Sequence, residues 1–109
     1  MKPVKKMGVL ISGSGTTLQC IIDNIKEGVL NAEIVVVISS SESAFGLKRA
    51  EQSKIPTFVP TVEGKSPLVY SAEIFQTLKK HDVELVVMAG FIKKYLPPSS
   101  ELPTINLHP

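Results

Sequence analysis

The stretch Val9-Leu10-Ile11-Ser12-Gly13-Ser14-Gly15-Thr16-Thr17-Leu18-Gln19 decides the fold. An apolar run stops at two glycines set among the hydroxyls of Ser12, Ser14, Thr16 and Thr17. Helical spacing then takes over: Leu18, Ile21, Ile22 and Ile25 stand at i, i+3, i+4 and i+7, and Gly28 is a natural stop. The stretch therefore reads as strand, tight turn and helix. Glycine lets the backbone approach a ligand closely, and the first turn of a helix offers unpaired N–H groups and a partial positive charge. Gly13, Ser14, Gly15, Thr16 and Thr17 are thus a candidate phosphate site. The competing account is a plain turn closed by a capping serine or threonine. As a dinucleotide fingerprint the stretch is incomplete. Leu18 holds the third glycine position, and Ser39-Ser40-Ser41 stand where an acidic residue would end the second strand. No Lys-Ser or Lys-Thr follows the glycines, so it is not a nucleotide-triphosphate loop.

Working outward, the same alternation repeats. Residues 4–11 read as the first strand. Ile34-Val35-Val36-Val37-Ile38 is β-branched throughout and apolar on both faces, which suits the middle of a parallel sheet covered by helices. Ala44, Leu47 and Ala50 suggest a short second helix, and Thr57-Phe58-Val59 a short third strand. Ser66-Pro67 is a helix start, serine as cap and proline at the first helical position. Tyr70, Ile74 and Leu78 keep the helical period, with Phe75 beside them. Leu85-Val86-Val87-Met88 is a further buried strand closed by Ala89-Gly90, and Thr104-Ile105-Asn106-Leu107 a last one. The sum is an α/β domain with a doubly wound, Rossmann-like, mostly parallel sheet over residues 1–109. Ligands of such sheets sit beyond the carboxyl ends of the strands. Residues 12–17, 90–95 and 106–109 fall at that edge.

Composition narrows the class. Apolar residues make up 43% of the 109-residue chain and charged residues 20%, an ordinary globular balance. A formal charge of +2 is too small to argue for nucleic acid. No run of 18 apolar residues exists, so no membrane span is expected, and a cytoplasmic setting follows. The single cysteine, Cys20, excludes an intrachain disulfide and any multi-cysteine metal site. Its apolar neighbours predict a small buried side chain. His81 is expected at a helix end, where it favours the dipole.

Asn106 and His108 are two apart on the last strand, so their side chains share a face. Histidine moves protons near neutral pH, and an asparagine amide donates to a developing oxyanion. Together they suit attack on a carbonyl; taken alone, such a histidine is also a common capping or packing residue.

The segments taken together resemble a family. Residues 9–19 are similar to the opening of glycinamide ribonucleotide formyltransferases, Ile-Ser-Gly-x-Gly-Ser/Thr-Asn/Thr-Leu-Gln. Ala44-Phe45-Gly46-Leu47, Val87-Met88-Ala89-Gly90-Phe91 and Ile105-Asn106-Leu107-His108-Pro109 resemble later family segments, in the right order and at near-family spacing. The resemblance implies transfer of a formyl group from 10-formyltetrahydrofolate to the amine of glycinamide ribonucleotide, in purine biosynthesis, with no metal. It implies that the loop 13–17 holds the substrate phosphate and that Asn106 and His108 belong to the catalytic set. Phe91, Ile92, Lys93 and Tyr95 would line the folate pocket. Here the chain departs from the pattern: Lys93 stands where arginine is usual, Tyr95 near a usual leucine, and the link from Pro97 to Asn106 is shorter. The family also needs roughly twice this length. The remainder would carry a catalytic aspartate, so little or no turnover is expected of these 109 residues alone. A sheet with one side uncovered invites a homodimer. The alternatives are a formyltetrahydrofolate deformylase-like hydrolase and a non-catalytic mononucleotide-binding fragment.

Overall fold

The computed structural model describes residues 4–91, 95–97 and 101–107. Among these described residues five strands and three helices follow in the order β1 (Lys5–Ile11), α1 (Thr16–Lys26), β2 (Ala32–Ser39), α2 (Phe45–Gln52), β3 (Thr57–Phe58), α3 (Pro67–Lys80), β4 (Leu85–Ala89) and β5 (Thr104–Leu107). The strands form one sheet in the order β3-β2-β1-β4-β5, and every pairing is parallel. The chain steps outward from β1 through β2 to β3, then returns to the other side of β1 with β4. The order therefore reverses between β1 and β4, where such sheets leave a crevice at their carboxyl ends.

Helices cover both faces because the strands are apolar on both. Leu18, Ile21 and Ile22 of α1 and Ala50 of α2 pack with Met7, Val9, Ile11, Ile34, Val37 and Val87 on one face. Tyr70, Ile74 and Leu78 of α3 pack with Leu10, Val36, Ile38 and Val86 on the other. Each large aliphatic buried in this way contributes about 1.5–3 kcal/mol relative to exposure. In β2 the register jumps from Met7 opposite Ile34 to Gly8 opposite Val36. The bulge at Val35 resets the alternation, so Ile34 and Val37 serve the first face while Val36 and Ile38 serve the second.

The helix ends follow local chemistry. Ser66 caps α3 by accepting from the Val69 N–H, with proline in its first turn. His81 is the C-cap, its Nδ1 2.9 Å from the Thr77 carbonyl oxygen. Cys20 is a correction to the sequence reading: it is exposed. The buried stripe of α1 runs through Leu18, Ile21 and Ile22, and a residue two positions after Leu18 is turned some 200° from it at about 100° per residue. Among the described residues no helix is long and apolar enough to cross a membrane.

Candidate active site at the carboxyl edge of the sheet

The loop after β1 is tied down from behind. Gly15 is the N-cap of α1 with φ of 75°, a left-handed conformation that glycine adopts without strain, and no side chain caps the helix. The account of the turn as one closed by a capping hydroxyl therefore fails. Three successive loop carbonyls are occupied instead. The Gly13 oxygen accepts from the Gly46 N–H at 3.1 Å, the Ser14 oxygen from Arg49 Nε at 2.8 Å, and the Gly15 oxygen from the Gln19 N–H at 2.8 Å. In a trans peptide the N–H points opposite to the carbonyl. Tying the carbonyls back therefore turns the N–H groups of Ser14, Gly15 and Thr16 to the other side. At the base of the loop, Ser40 Oγ donates to Ser12 Oγ at 2.6 Å, and the Ser40 N–H donates to the Ile11 oxygen.

That other side is a cleft of about 190 Å³ lined by Gly13, Ser14, Gly15, Thr16, Thr17, Ala89 and Gly90. It lies between the ends of β1 and β4, at the reversal of strand order. Among the described residues no acidic side chain lines it, so an anion entering it would meet donors and a helix N-terminus without a repelling carboxylate. A larger depression, about 500 Å³, lies at the opposite edge, lined by Val4, Lys6, Lys79, Asp82, Val83 and Glu84. There the Lys6 and Glu84 backbones are bonded to each other's residue. Volume alone would mislead; the donor-lined cleft is the one whose chemistry suits a ligand.

The next segments come to the same edge. β5 pairs with β4 so that Asn106 stands opposite Met88 and Leu107 opposite Ala89. Asn106 is exposed, at the end of the strand next to the one that closes the cleft. Its predicted partner, His108, lies outside the described residues, as do Ile92 and Lys93. Phe91 is half-buried against the α3 face. Tyr95 is buried: the residue is 7% exposed and belongs to the α3-side core with Tyr70 and Leu10. The following residue is fixed by the Leu96 N–H donating to Ser71 Oγ at 2.7 Å. Desolvation pushes the Tyr95 hydroxyl up to about 12, and burial, helped by Glu73, raises that of Tyr70. Neither hydroxyl has a hydrogen-bond partner among the described residues.

Sequence reasoning missed Arg49, Gly46, Ser40 and Ser71. Gly46 did leave a signal. A glycine in the first turn of a helix is a poor helix former, so its presence points to a close approach. A Cβ there would lie 2.5 Å from Ile11 Cδ1 and 3.1 Å from Gly15 Cα.

Fold and site thus define a doubly wound α/β protein with a glycine-turn loop and a cleft at the switch point of its sheet. Residues 5–109 match the family model described as formyl transferase, and the chain belongs to that family. It is 36% identical over 118 residues to a phosphoribosylglycinamide formyltransferase of Dictyostelium discoideum, covering 93% of this chain and 57% of the relative. It is 39% identical over 110 residues to the Haemophilus influenzae protein of that name, covering 97% and 52%. The crystal structure of glycinamide ribonucleotide transformylase 1 from Symbiobacterium toebii superposes with a TM-score of 0.90 at 33% identity, covering 97% of this chain and 52% of that one. The chain spans about half the length of these relatives.

Proposed function

We propose that this chain is the part of a glycinamide ribonucleotide formyltransferase that holds the ribonucleotide phosphate and presents the first catalytic groups. The observation that carries the reading is the loop 13–17, with its carbonyls tied back and no acidic side chain among the described residues that line its cleft. The phosphate would accept from the N–H groups and hydroxyls of Ser14, Gly15, Thr16 and Thr17, placing the glycinamide amine toward the ends of β4 and β5.

The formyl donor, 10-formyltetrahydrofolate, would lie along residues 91–95. Phe91, Ile92 and Lys93 would face the pterin. Tyr95, whose ring is buried, would act from below by anchoring the segment to α3. The neutral amine attacks the formyl carbon, and negative charge grows on the formyl oxygen. Asn106 would donate to that oxygen, and a protonated His108 would stabilise it further. Loss of the amine proton and its delivery to the departing folate nitrogen complete the transfer.

The test is a transfer assay on the complete protein with both substrates. Formylated glycinamide ribonucleotide should appear only when both are present, and removal of the phosphate from the acceptor should abolish saturation. Free formate released without any acceptor would instead make the protein a hydrolase. Ribonucleotide binding with no chemistry in the complete protein would leave only a binding module.

A further inference from the structure

We propose that Arg49 is a positioning residue for the anion loop, acting from behind it through the Ser14 carbonyl. The inference rests on the reading of that loop as a phosphate site. Arg49 Nε donates to the Ser14 oxygen at 2.8 Å, and its Nη1 lies 3.4 Å from Gln19 Oε1. The guanidinium lies over the Phe45 ring, 4.9 Å from its centroid. These contacts account for Phe45, which is 50% exposed although aromatic. Phe45 and Arg49 stand one turn apart on α2, so the ring is a platform on which the guanidinium plane rests.

The fixed plane is what the loop needs. Ser14 is the middle of the three tied carbonyls, and Arg49 is the side chain among their donors; the other two are backbone N–H groups. Without it the peptide between Ser14 and Gly15 is free to rotate, and rotation would aim a carbonyl oxygen at the anion. A charged donor on that carbonyl also polarises the peptide, which strengthens the Gly15 N–H as a donor on the opposite side. Arg49 faces a different depression, lined also by Thr16, Gln19, Cys20, Asp23 and Asn24, and is not among the described residues that line the cleft. It therefore works through the backbone. Lysine would keep the charge but lacks the planar fork and the stacking face.

The experiment is a titration of the isotope-labelled 109-residue chain with ribose 5-phosphate, followed by backbone amide signals, for wild type, Arg49→Lys and Arg49→Met. Wild type should show shifts at Ser14, Gly15, Thr16 and Thr17. Arg49→Met should bind about tenfold more weakly, the usual effect of losing a charged hydrogen bond. Arg49→Lys should recover only part of that loss. In both variants the Gly15 amide should exchange faster with solvent, while Val36 and Ile74 in the core keep wild-type rates. Wild-type affinity and Gly15 exchange in Arg49→Met would overturn the proposal. Full recovery in Arg49→Lys would overturn it as well, since charge alone would then suffice. Failure of wild type to bind ribose 5-phosphate would defeat the phosphate reading; Gly15 exchange then decides, and an unchanged rate in both variants removes Arg49's hold on the loop. If Arg49→Met loses its core signals, Arg49→Lys carries the comparison.

Discussion

The two edges of the candidate site are built differently. The loop after β1 is held by backbone and side-chain bonds from α1, α2 and the end of β2. β5, on the far side of β4, is an edge strand whose Ile105 is 45% exposed and Leu107 37% exposed, on the face they share with Val87 and Ala89. The residues seen to bond to the loop, Gln19, Ser40, Gly46 and Arg49, all lie within 50 positions of the start. Among the described residues β5 pairs with β4 at the edge of the sheet, and its Ile105 and Leu107 stay exposed. The supports of the loop thus lie within this segment, while Asn106 stands on an edge strand.

Substitutions can break or sharpen that contrast. The largest effect is expected at the edge strand. In the complete protein, Asn106→Ala should lower kcat by about 10²–10³, the cost of one oxyanion donor, with little change in KM for the ribonucleotide. Steady-state kinetics decide it, and a loss confined to KM would move Asn106 out of the chemistry. Gly15→Ala should do the reverse. A Cβ there would lie 2.6 Å from Gly46 Cα at a φ of 75°. Left-handed strain and overpacking together cost about 2–4 kcal/mol, read as a lower denaturant midpoint and lost ribose 5-phosphate binding. Wild-type binding by Gly15→Ala would show that the loop is not shaped by this contact.

Tyr95 belongs to neither edge but to the core on the α3 side. Its hydroxyl is buried without a partner among the described residues, so Tyr95→Phe should raise stability by about 1 kcal/mol, the desolvation penalty relieved. The pH dependence has a definite sign. The folded state holds the hydroxyl at about 12 against an ordinary 10.0. Stability from keeping it neutral is complete below pH 10 and lost as pH rises toward 12. Chemical denaturation across that window should show a shallower fall in Tyr95→Phe; an equal fall would mean the ring is hydrated. The smallest effect is expected at Ile105→Asp in the 109-residue chain, within about 0.5 kcal/mol because the side chain is already half in solvent. The same change in the complete protein should cost several times more if the rest of the domain covers this face. Equal small effects in both would show that β5 stays open.

Much of this was legible in the residues. The helical spacing of Leu18, Ile21, Ile22 and Ile25, the β-branched run at 34–38 and Ser66-Pro67 each state a local preference that the fold keeps. Cys20 was misread because neighbours in sequence were taken for neighbours in space; on a helix they point apart. The bulge at Val35 left no mark in a run where every residue is apolar. The place of Asn106 on the last strand was legible because strand patterning is local. Tyr95 was not, since whether its ring turns outward or inward depends on α3, some twenty residues earlier.

The sequence by itself determined the elements, their order and the loop's chemistry, because turn glycines, caps and hydrophobic period act over a few residues. Only the tertiary structure decided that α2 would brace that loop. Gly46 and Arg49 meet Gly13 and Ser14 across more than thirty residues. That meeting exists only once β1 and β2 have paired and set both helices on one face of the sheet.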